Sequence, residues 1–292
     1  AERRGWALKT GASAGWGRAV AYRLARDGYD LLLLARRAER LQEIATELRS
    51  AHRAGTRLPG RSAAAGAGGA RDARRVVPVP IDLTDTDTIV AVIDAALETE
   101  QINPTEISLI VNAAGSGAFG PFADEDTAAM HRAIRLNIDA PAAIMRWAVP
   151  HLQRRGGGTI CNIASVAAFT PGPLMASYYA AKAWMLSIGE SLAEEVRGDD
   201  VHVVTCCPGP FASEFHDAAG IDRGRLGRLP TADRVAGTVM RSIRRGRVVA
   251  PVGAGAWVWA VVGPRLPRRW SRRLIAVVQR RRARQTRTGQ SP

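Results

Sequence analysis

Lysine is almost absent from this chain, although basic residues are abundant. Of the 41 basic residues only Lys9 and Lys182 are lysines, so the other 39 are arginines. Where arginine is otherwise the rule, a lysine indicates a need for a compact, flexible ammonium group. The scarcity therefore marks Lys182, which lies in a motif described below, as a candidate functional residue.

Cysteine and histidine are also scarce. The three cysteines, Cys161, Cys206 and Cys207, lie in or beside predicted strands without metal-site spacing, and the five histidines form no cluster. We therefore expect buried, reduced thiols and no bound metal. No secretory leader precedes the first predicted strand, so we expect a cytoplasmic protein, with membrane association as the alternative considered next.

Acidic residues are missing from the last fifth of the chain. No Asp or Glu follows Asp233, and residues 234–292 carry 15 arginines. The net charge of +14 is therefore the sum of +15 from this segment and −1 from residues 1–233. The basic character belongs to a tail, which we place at residues 254–292, after a domain at residues 1–253.

The tail is apolar as well as basic. Short apolar runs at 256–262 and 274–278 alternate with arginines, and Pro264 and Pro267 divide the segment into two pieces. Neither run approaches the ~20 residues that a spanning helix needs. Contact with an anionic membrane through residues 256–284, packing on the domain or a second subunit, and solvated arginines all stay open. We favour the membrane contact and expect no nucleic acid partner, because no base-recognition motif is present.

The most informative motif combines a tyrosine, a lysine and a serine. Tyr178 and Lys182 are four residues apart, so on a helix they share one face, and Ser165 lies thirteen residues before the tyrosine. A nearby cation lowers the pKa of a tyrosine, which then exchanges a proton near neutral pH. Tyr179 has no lysine at this spacing, so the acid/base role is predicted for Tyr178.

A glycine loop opens the chain. An extended stretch leads into Gly11, Gly15 and Gly17, and a helical pattern follows. Glycines allow a phosphate to approach the backbone closely, and the start of the next helix offers free N–H groups. An ordinary strand-to-helix turn would also contain glycine, but the position at the first βα unit favours dinucleotide binding.

In the order of its motifs, the chain resembles the classical short-chain dehydrogenases/reductases over about residues 5–253. The motifs are the glycine loop, Asp82 with Leu83, Asn112, Asn137, the Ser165–Tyr178–Lys182 triplet, and Pro208 with Gly209. The sequence departs from the family pattern at three positions. Ala113 replaces an asparagine, Trp16 replaces a smaller aliphatic residue, and Lys9 interrupts the apolar first strand.

The resemblance implies a role for each motif. Catalytic roles fall on Asn137 (water relay), Ser165 (substrate oxygen), Tyr178 (proton exchange) and Lys182 (nicotinamide ribose and tyrosine pKa). Cofactor contacts fall on Gly11, Ser13, Gly15, Gly17, Arg36, Asp82, Leu83, Asn112, Tyr178, Lys182, Pro208 and Gly209. Arg36 follows the second strand, where a carboxylate would bind the ribose of NAD, so a 2′-phosphate and NADP(H) are favoured. A solvated arginine would look the same.

Alternating apolar and amphipathic stretches predict an α/β fold with a doubly wound parallel sheet. Strands are predicted at 6–11, 30–36, 76–81, 107–112, 159–164, 201–206 and 247–252. Helices are predicted at 16–28, 38–50, 86–100, 125–154, 176–197 and 231–245. Residues 51–75 are expected to form a mobile surface insert, and residues 210–230 a substrate lid.

Taken together, the sequence predicts an NADP(H)-dependent oxidoreductase. The resemblance and the extended C-terminus favour a lipophilic ketone, such as a 3-oxoacyl, polyketide or steroid-like compound, as the substrate. Alcohol oxidation on NAD(P)+ and an idle NADP-binding scaffold that acts through its tail are the alternatives. The resemblance further implies a homodimer or homotetramer, paired through the helices at 125–154 and 176–197.

Overall fold

A computed structural model describes residues 4–13, 15–53, 75–211 and 229–287. Most of the predicted insert at 51–75 and of the predicted lid at 210–230 lies outside the described residues. Of the lid, Pro210 and Phe211 and then residues 229–230 are described. The two predictions therefore stay predictions.

Seven strands form one parallel sheet in the order β3-β2-β1-β4-β5-β6-β7. The strands are β1 (Trp6–Thr10), β2 (Asp30–Ala35), β3 (Val76–Pro80), β4 (Ile107–Asn112), β5 (Gly158–Ile163), β6 (Val201–Pro208) and β7 (Val249–Val252). The chain starts at the centre of the sheet, fills one half, and then returns to fill the other. The predicted doubly wound α/β fold is confirmed, and each strand lies within two residues of its predicted bounds.

Helices cover both faces of the sheet. They are α1 (Gly15–Asp27), α2 (Ala38–Arg53), α3 (Ile89–Thr99), α4 (Thr127–Ile134), α5 (Ala140–Arg155), α6 (Ala176–Glu195), α7 (Ala232–Arg245), α8 (Ala254–Arg265) and α9 (Arg268–Arg287). Helices α1, α2 and α7 pack in one apolar layer, while α3 and α5 pack in the other. The two layers follow from strands that are apolar on both sides.

Strand β2 illustrates how the sequence builds these layers. Side chains alternate across a strand, so Leu31 and Leu33 enter one layer while Leu32 and Leu34 enter the other. All four leucines are fully buried. Burial of each stabilises the fold by about 2 kcal/mol before entropy is counted, which explains why the run is apolar without interruption.

The sheet order creates the place for a ligand. Between β1 and β4 the direction of the winding reverses, so the loops after these two strands diverge to opposite faces. A crevice forms outside the carboxyl ends of the strands at such a point. The glycine loop follows β1 and the Asn112 segment follows β4, which places both sequence motifs at the rim of this crevice.

The single helix predicted at 125–154 is interrupted. Five π-helical residues, Arg135–Asp139, separate α4 from α5, and they contain the predicted relay residue Asn137. The Asn137 side-chain amide donates to the carbonyl of Ala133 at 2.8 Å, a bond that competes with the regular helical ladder. The wider turn places Asn137 inside the protein, where it is buried.

The C-terminal tail forms two helices, α8 and α9, separated at Leu266 and Pro267. Pro264 lies within the last turn of α8, so the prediction that both prolines divide the tail is corrected to one break at Pro267. Among the described residues, no helix combines the length and the apolar character needed to cross a membrane.

Candidate active site

A cavity of about 770 Å³ opens at the carboxyl ends of the central strands. It brings together residues from most of the predicted motifs, from the glycine loop to the Pro208–Gly209 turn. The predicted residues at its wall are Gly11, Ser13, Gly15, Gly17, Arg36, Asp82, Leu83, Ser165, Tyr178, Lys182, Pro208 and Gly209. Only two predicted site residues, Asn112 and Asn137, are not part of this wall.

The glycine loop is a close contact between the end of β1 and the start of α1. A Cβ on Gly17 would overlap the carbonyl oxygen of Gly11 and would lie 3.2 Å from Lys9 Nζ. Gly11 has a φ of +66°, in the region that other residues rarely adopt. Any side chain at Gly17 would therefore push α1 away from the strand and distort the loop.

Lys9 lies directly behind this loop. Its side chain is fully buried in β1 and donates to the carbonyl of Thr10 at 3.0 Å. Burial lowers the pKa of Lys9 to about 7, and the nearby Cys161 thiol acts weakly in the opposite direction. Lys9 thus interrupts the apolar strand, as the sequence predicts, and it does so as a buried cation beneath the loop.

Two arginines line the cavity where the sequence predicted one. Arg36 and Arg37 both face it, and Arg37 reaches back across the glycine loop. The Arg37 guanidinium donates to Ser13 Oγ at 3.3 Å and to the Ser13 carbonyl at 3.1 Å. Arg37 was not among the predicted site residues, although its position next to Arg36 was a usable signal.

The acidic residue after β3 is held by its own turn. Asp82 Oδ1 accepts hydrogen bonds from the Thr84 N–H at 3.0 Å and the Thr84 hydroxyl at 2.9 Å. The Thr84 backbone bond, more than the charge of Arg36, lowers the pKa of Asp82. Asp82 therefore stays ionised beside Arg36 in the cavity wall.

The rim between β1 and β4 is tied together by one hydroxyl. Thr10 Oγ1 accepts from the backbone N–H groups of Ala113 at 2.9 Å and Ala114 at 3.1 Å. These bonds fix the backbone after β4 without a hydrogen-bonding side chain at position 113. The alanine that departs from the family pattern is therefore accommodated by the threonine.

Asn112 does not line the cavity, and its side chain links two strands instead. It is buried, and its side-chain amide donates to Asn162 Oδ1 at 3.0 Å, linking β4 to β5. The structure thus places this predicted cofactor residue behind the cavity, because the last residue of a central strand points into the neighbouring layer.

Ser165, Tyr178 and Lys182 meet at the cavity wall. Ser165 begins the short turn Val166–Phe169 after β5, and its hydroxyl accepts from the Ala167 N–H at 3.2 Å. A hydrogen bond also joins Ser165 to Tyr178. Lys182 Nζ donates to the carbonyl of Ile163 at 3.0 Å and lies 5.7 Å from the centroid of the Tyr178 ring. The predicted shared helix face exists, and it faces the cavity.

The electrostatics of the triplet differ from the expectation. Burial raises the pKa of Tyr178 to about 12, and the Ser165 hydrogen bond opposes this only in part. Burial also lowers the pKa of Lys182 to about 8. The prediction of a lowered tyrosine pKa is therefore wrong for this structure, because desolvation of the buried phenol is the largest effect on it.

Asn137 stands next to Lys182. Its amide donates to the carbonyls of Ser116 and Ala133, both at 2.8 Å, while its Oδ1 has no partner among the described residues. A Cβ on Gly115 would lie 2.8 Å from Asn137 Oδ1 and 3.3 Å from Lys182 Nζ. An acceptor and a cation thus border the same small space, which glycine leaves open.

The C-terminal tail contributes to the site. Gln279 of α9 lines the cavity, and its side-chain amide donates to the Tyr179 hydroxyl at 3.3 Å. The residue is 1% exposed. No sequence motif pointed to Gln279, because it lies 100 residues from its partner and belongs to a segment with no recognisable pattern.

Trp16 closes another part of the wall. Its ring packs against Phe211, with centroids 6.0 Å apart and planes at 52°. Both residues line the cavity beside the glycine loop. The large ring at a position where a small aliphatic residue is usual therefore makes contact with the first residues of the predicted lid.

The wall has the chemistry that a nicotinamide dinucleotide requires. Guanidinium groups and the start of α1 are part of the wall, and they suit phosphates. A hydroxyl, a phenol and an ammonium are part of the same wall, and they suit a reacting group. The orphaned acceptor of Asn137 next to Lys182 also indicates a polar occupant in this region. The residues therefore fit the cofactor.

The sequence matches a known family. A family model for short chain dehydrogenases covers residues 5–223. The chain therefore belongs to the short-chain dehydrogenase family, and the predicted membership is confirmed. A short chain dehydrogenase from Pseudocercospora fijiensis is 30% identical over 211 residues, which are 72% of this chain and 60% of that relative. The chain thus spans about three fifths of the length of this relative.

Solved structures agree with the assignment. A short-chain dehydrogenase from Sphingobium yanoikuyae in complex with NADPH has a TM-score of 0.72 at 28% identity, covering 89% of this chain and 93% of that one. A short-chain dehydrogenase/reductase from Burkholderia phymatum in complex with NAD has a TM-score of 0.69 at 25% identity, covering 85% and 89%. These two relatives bind different nicotinamide cofactors, so similarity to them does not decide between NADP and NAD.

Proposed function

We propose that this protein is an NADP(H)-dependent oxidoreductase that reduces a lipophilic ketone, with Tyr178 as the proton donor. The observation that carries the proposal is the environment of the Tyr178 hydroxyl. It is bonded to Ser165, lies in a mostly apolar cavity, and has a pKa raised to about 12 by burial. A phenol that stays protonated at neutral pH is suited to give a proton to a carbonyl oxygen.

Lys182 and Asn137 provide a route for replacing that proton. Lys182 has a pKa lowered to about 8, so its ammonium releases and regains a proton near neutral pH. Asn137 Oδ1 offers an acceptor beside the same space. A water held between them would connect Lys182 to solvent without a further side chain.

The choice of NADP(H) rests on the two arginines in the cavity wall after β2. Arg36 and Arg37 supply two guanidinium groups where a 2′-phosphate would lie, and Asp82 is occupied by its own Thr84 bonds. A guanidinium pairs with phosphate in a forked geometry, and NAD has no phosphate on its 2′ oxygen for such a pair. When bound, the nicotinamide would supply the hydride that the carbonyl carbon receives.

The substrate class follows from the wall near Tyr178. Leu136, Val166 and Met175 give it an apolar surface, while Tyr179 and Gln279 add one polar edge. Such a wall suits a hydrocarbon chain or ring next to a single carbonyl group. This supports a 3-oxoacyl, polyketide or steroid-like ketone as the substrate.

The test is NADPH oxidation against ketones of graded chain length and ring size, with native protein and Tyr178→Phe. Loss of a general acid typically costs about 10²- to 10⁴-fold in rate. We expect turnover that increases with substrate lipophilicity and falls by about this factor in Tyr178→Phe, because the phenyl ring keeps the shape but has no proton to give.

Tyr179→Phe is the matched control, since it removes a neighbouring hydroxyl from the same helix. It should lose far less turnover than Tyr178→Phe. Equal losses in the two variants would contradict the assignment of the proton donor. NADPH binding with no turnover in the native protein on any ketone would favour an idle scaffold instead.

A further inference from the structure

The last two helices expose an apolar surface that the rest of the protein does not cover. Four large apolar residues of α8 and four of α9 are exposed, and in each helix they recur at helical spacing along one side. This outer stripe consists of Trp257, Val258, Val261 and Val262 on α8, and of Trp270, Leu274, Val277 and Val278 on α9. The two tryptophans are 48% and 61% exposed, which is unusual for the largest apolar side chain.

Exposed arginines border the outer stripe. They are Arg247, Arg265, Arg268, Arg269, Arg272, Arg273, Arg280 and Arg281. The Arg247 guanidinium lies 5.6 Å from the centroid of the Trp257 ring. No acidic residue follows Asp233 in the sequence, so this surface has no carboxylate from its own segment to neutralise it. Apolar side chains and uncompensated positive charge therefore occur together.

Helix α9 joins this surface to the active site. Its inner side carries Ser271 and Gln279, which are almost fully buried, and Gln279 lines the cavity. Its outer side carries Val277 and Val278, within two residues of Gln279 in the sequence. A partner bound to the outer stripe would thus contact the same helix that lines the cavity.

Charge selects among the partners that such a surface could bind. A second copy would bring the same arginines against each other, and like charges at short range repel. A nucleic acid would satisfy the arginines but not the aliphatic residues between them. An anionic bilayer satisfies both, because its phosphates pair with arginine while tryptophan and valine enter the headgroup boundary.

We propose that the outer stripe of α8 and α9 docks this protein on an anionic lipid bilayer. The docked helices lie on the surface of the bilayer. The cavity wall carried by α9 is then held next to the membrane, where a lipophilic ketone would be dissolved. Bilayer binding is independent of the proposed reaction and stands or falls without it.

The experiment is flotation of the full-length protein with two sets of vesicles. One set is pure phosphatidylcholine, and the other contains about 30% phosphatidylserine. The native protein should bind the anionic vesicles strongly and the neutral ones weakly. Trp257→Ser with Trp270→Ser should reduce binding to anionic vesicles by about tenfold or more. Arg272→Gln with Arg273→Gln should weaken it and reduce its dependence on salt.

Controls separate docking from misfolding and from charge alone. Arg132→Gln with Arg146→Gln removes two exposed arginines outside the tail and should bind vesicles as the native protein does. Trp257 and Trp270 do not line the cavity, so the affinity for NADPH should be the same in the tryptophan variant as in the native protein. An unchanged affinity reports an intact fold. Native protein that does not bind anionic vesicles would overturn the proposal. A tryptophan variant that binds anionic vesicles as well as the native protein would also overturn it. So would a native dimer that dissociates in the tryptophan variant, because the outer stripe would then contact a second copy.

Discussion

The carboxyl edge of the sheet buries polar side chains, whereas the outer side of α8 and α9 exposes apolar ones. Both are departures from the usual placement of side chains, in opposite directions. At the sheet edge, Lys9, Lys182 and Asn137 are buried although they are polar. On the tail, Trp257 and Trp270 are exposed although they are apolar. Both placements cost stability, so both indicate a task other than folding. The edge suits chemistry, and the tail suits a contact.

The two regions also differ in charge. Residues 1–233 carry a net charge of −1, and residues 234–292 carry +15. Replacing groups at the sheet edge should therefore change catalysis or the pH dependence of stability. Replacing exposed groups of the tail should change neither the stability nor the turnover of a substrate dissolved in water.

The largest effect is expected for Lys182→Met, which should reduce turnover by about 10²- to 10⁴-fold because the proton relay is lost. In the native protein, reduction should proceed below about pH 8 and fall above it, as Lys182 loses its proton at a pKa lowered to about 8. The measurement is the rate of NADPH oxidation between about pH 6 and pH 10. A rate of the native protein that does not fall above about pH 8 would contradict the proton relay through Lys182.

Arg36→Asp should have the next largest effect. It places a carboxylate where the 2′-phosphate is proposed to lie, so it should weaken NADPH binding by about tenfold to a hundredfold relative to NADH. Fluorescence titration with both cofactors measures the ratio of Kd values. Arg132→Gln is the control and should leave this ratio unchanged; an unchanged ratio in Arg36→Asp would place the phosphate elsewhere.

Lys9→Met should have a smaller effect, and it should stabilise the protein instead of impairing it. The pKa of Lys9 is lowered in the fold from 10.5 to about 7. The unfolded chain therefore binds the proton more tightly, and stability is lost as pH falls from above 10.5 towards 7. Methionine has a similar volume and no charge, so it should raise the free energy of unfolding at pH 7 by about 1–3 kcal/mol.

Urea denaturation of native and Lys9→Met protein, at about pH 7 and about pH 9, measures this difference. The difference in the free energy of unfolding between the two proteins should be smaller at the higher pH. There Lys9 is neutral in the fold, so its burial destabilises the native protein less. A variant that is less stable than the native protein at both pH values would show that the ammonium is needed by the glycine loop.

The smallest effect is expected in the tail. Trp257→Ser and Trp270→Ser replace exposed side chains, so each should change the free energy of unfolding by less than about 0.5 kcal/mol. Thermal denaturation without lipid checks this. A large loss of stability would mean that the tryptophans are part of the folded core, and the contrast between the two regions would fail.

Much of the site could be predicted because its signals are local. The spacing of Tyr178 and Lys182 defines one helix face, and Gly11 and Gly17 mark a turn that no other residue allows. Uninterrupted leucines in β2 indicated a strand covered on both sides. In each case the physical requirement acts between residues that are near in sequence.

The features that could not be predicted depend on contacts between distant segments. Gln279 reaches Tyr179 across 100 residues, and nothing in its own neighbourhood indicates this. The pKa of Tyr178 was predicted in the wrong direction, because spacing shows which charge is near but not how much water is excluded. The π-helical turn at Asn137 follows from a bond that competes with the helix, and periodicity does not reveal it.

The most direct test measures NADPH oxidation with one ketone dissolved in water and one held in anionic vesicles. Three proteins are compared: native, Tyr178→Phe, and Trp257→Ser with Trp270→Ser. Tyr178→Phe should lose turnover on both ketones, and the tail variant should lose it only on the ketone in vesicles. A tail variant that loses both equally, or a Tyr178→Phe protein that keeps either, would contradict the separation of chemistry at the sheet edge from docking by the tail.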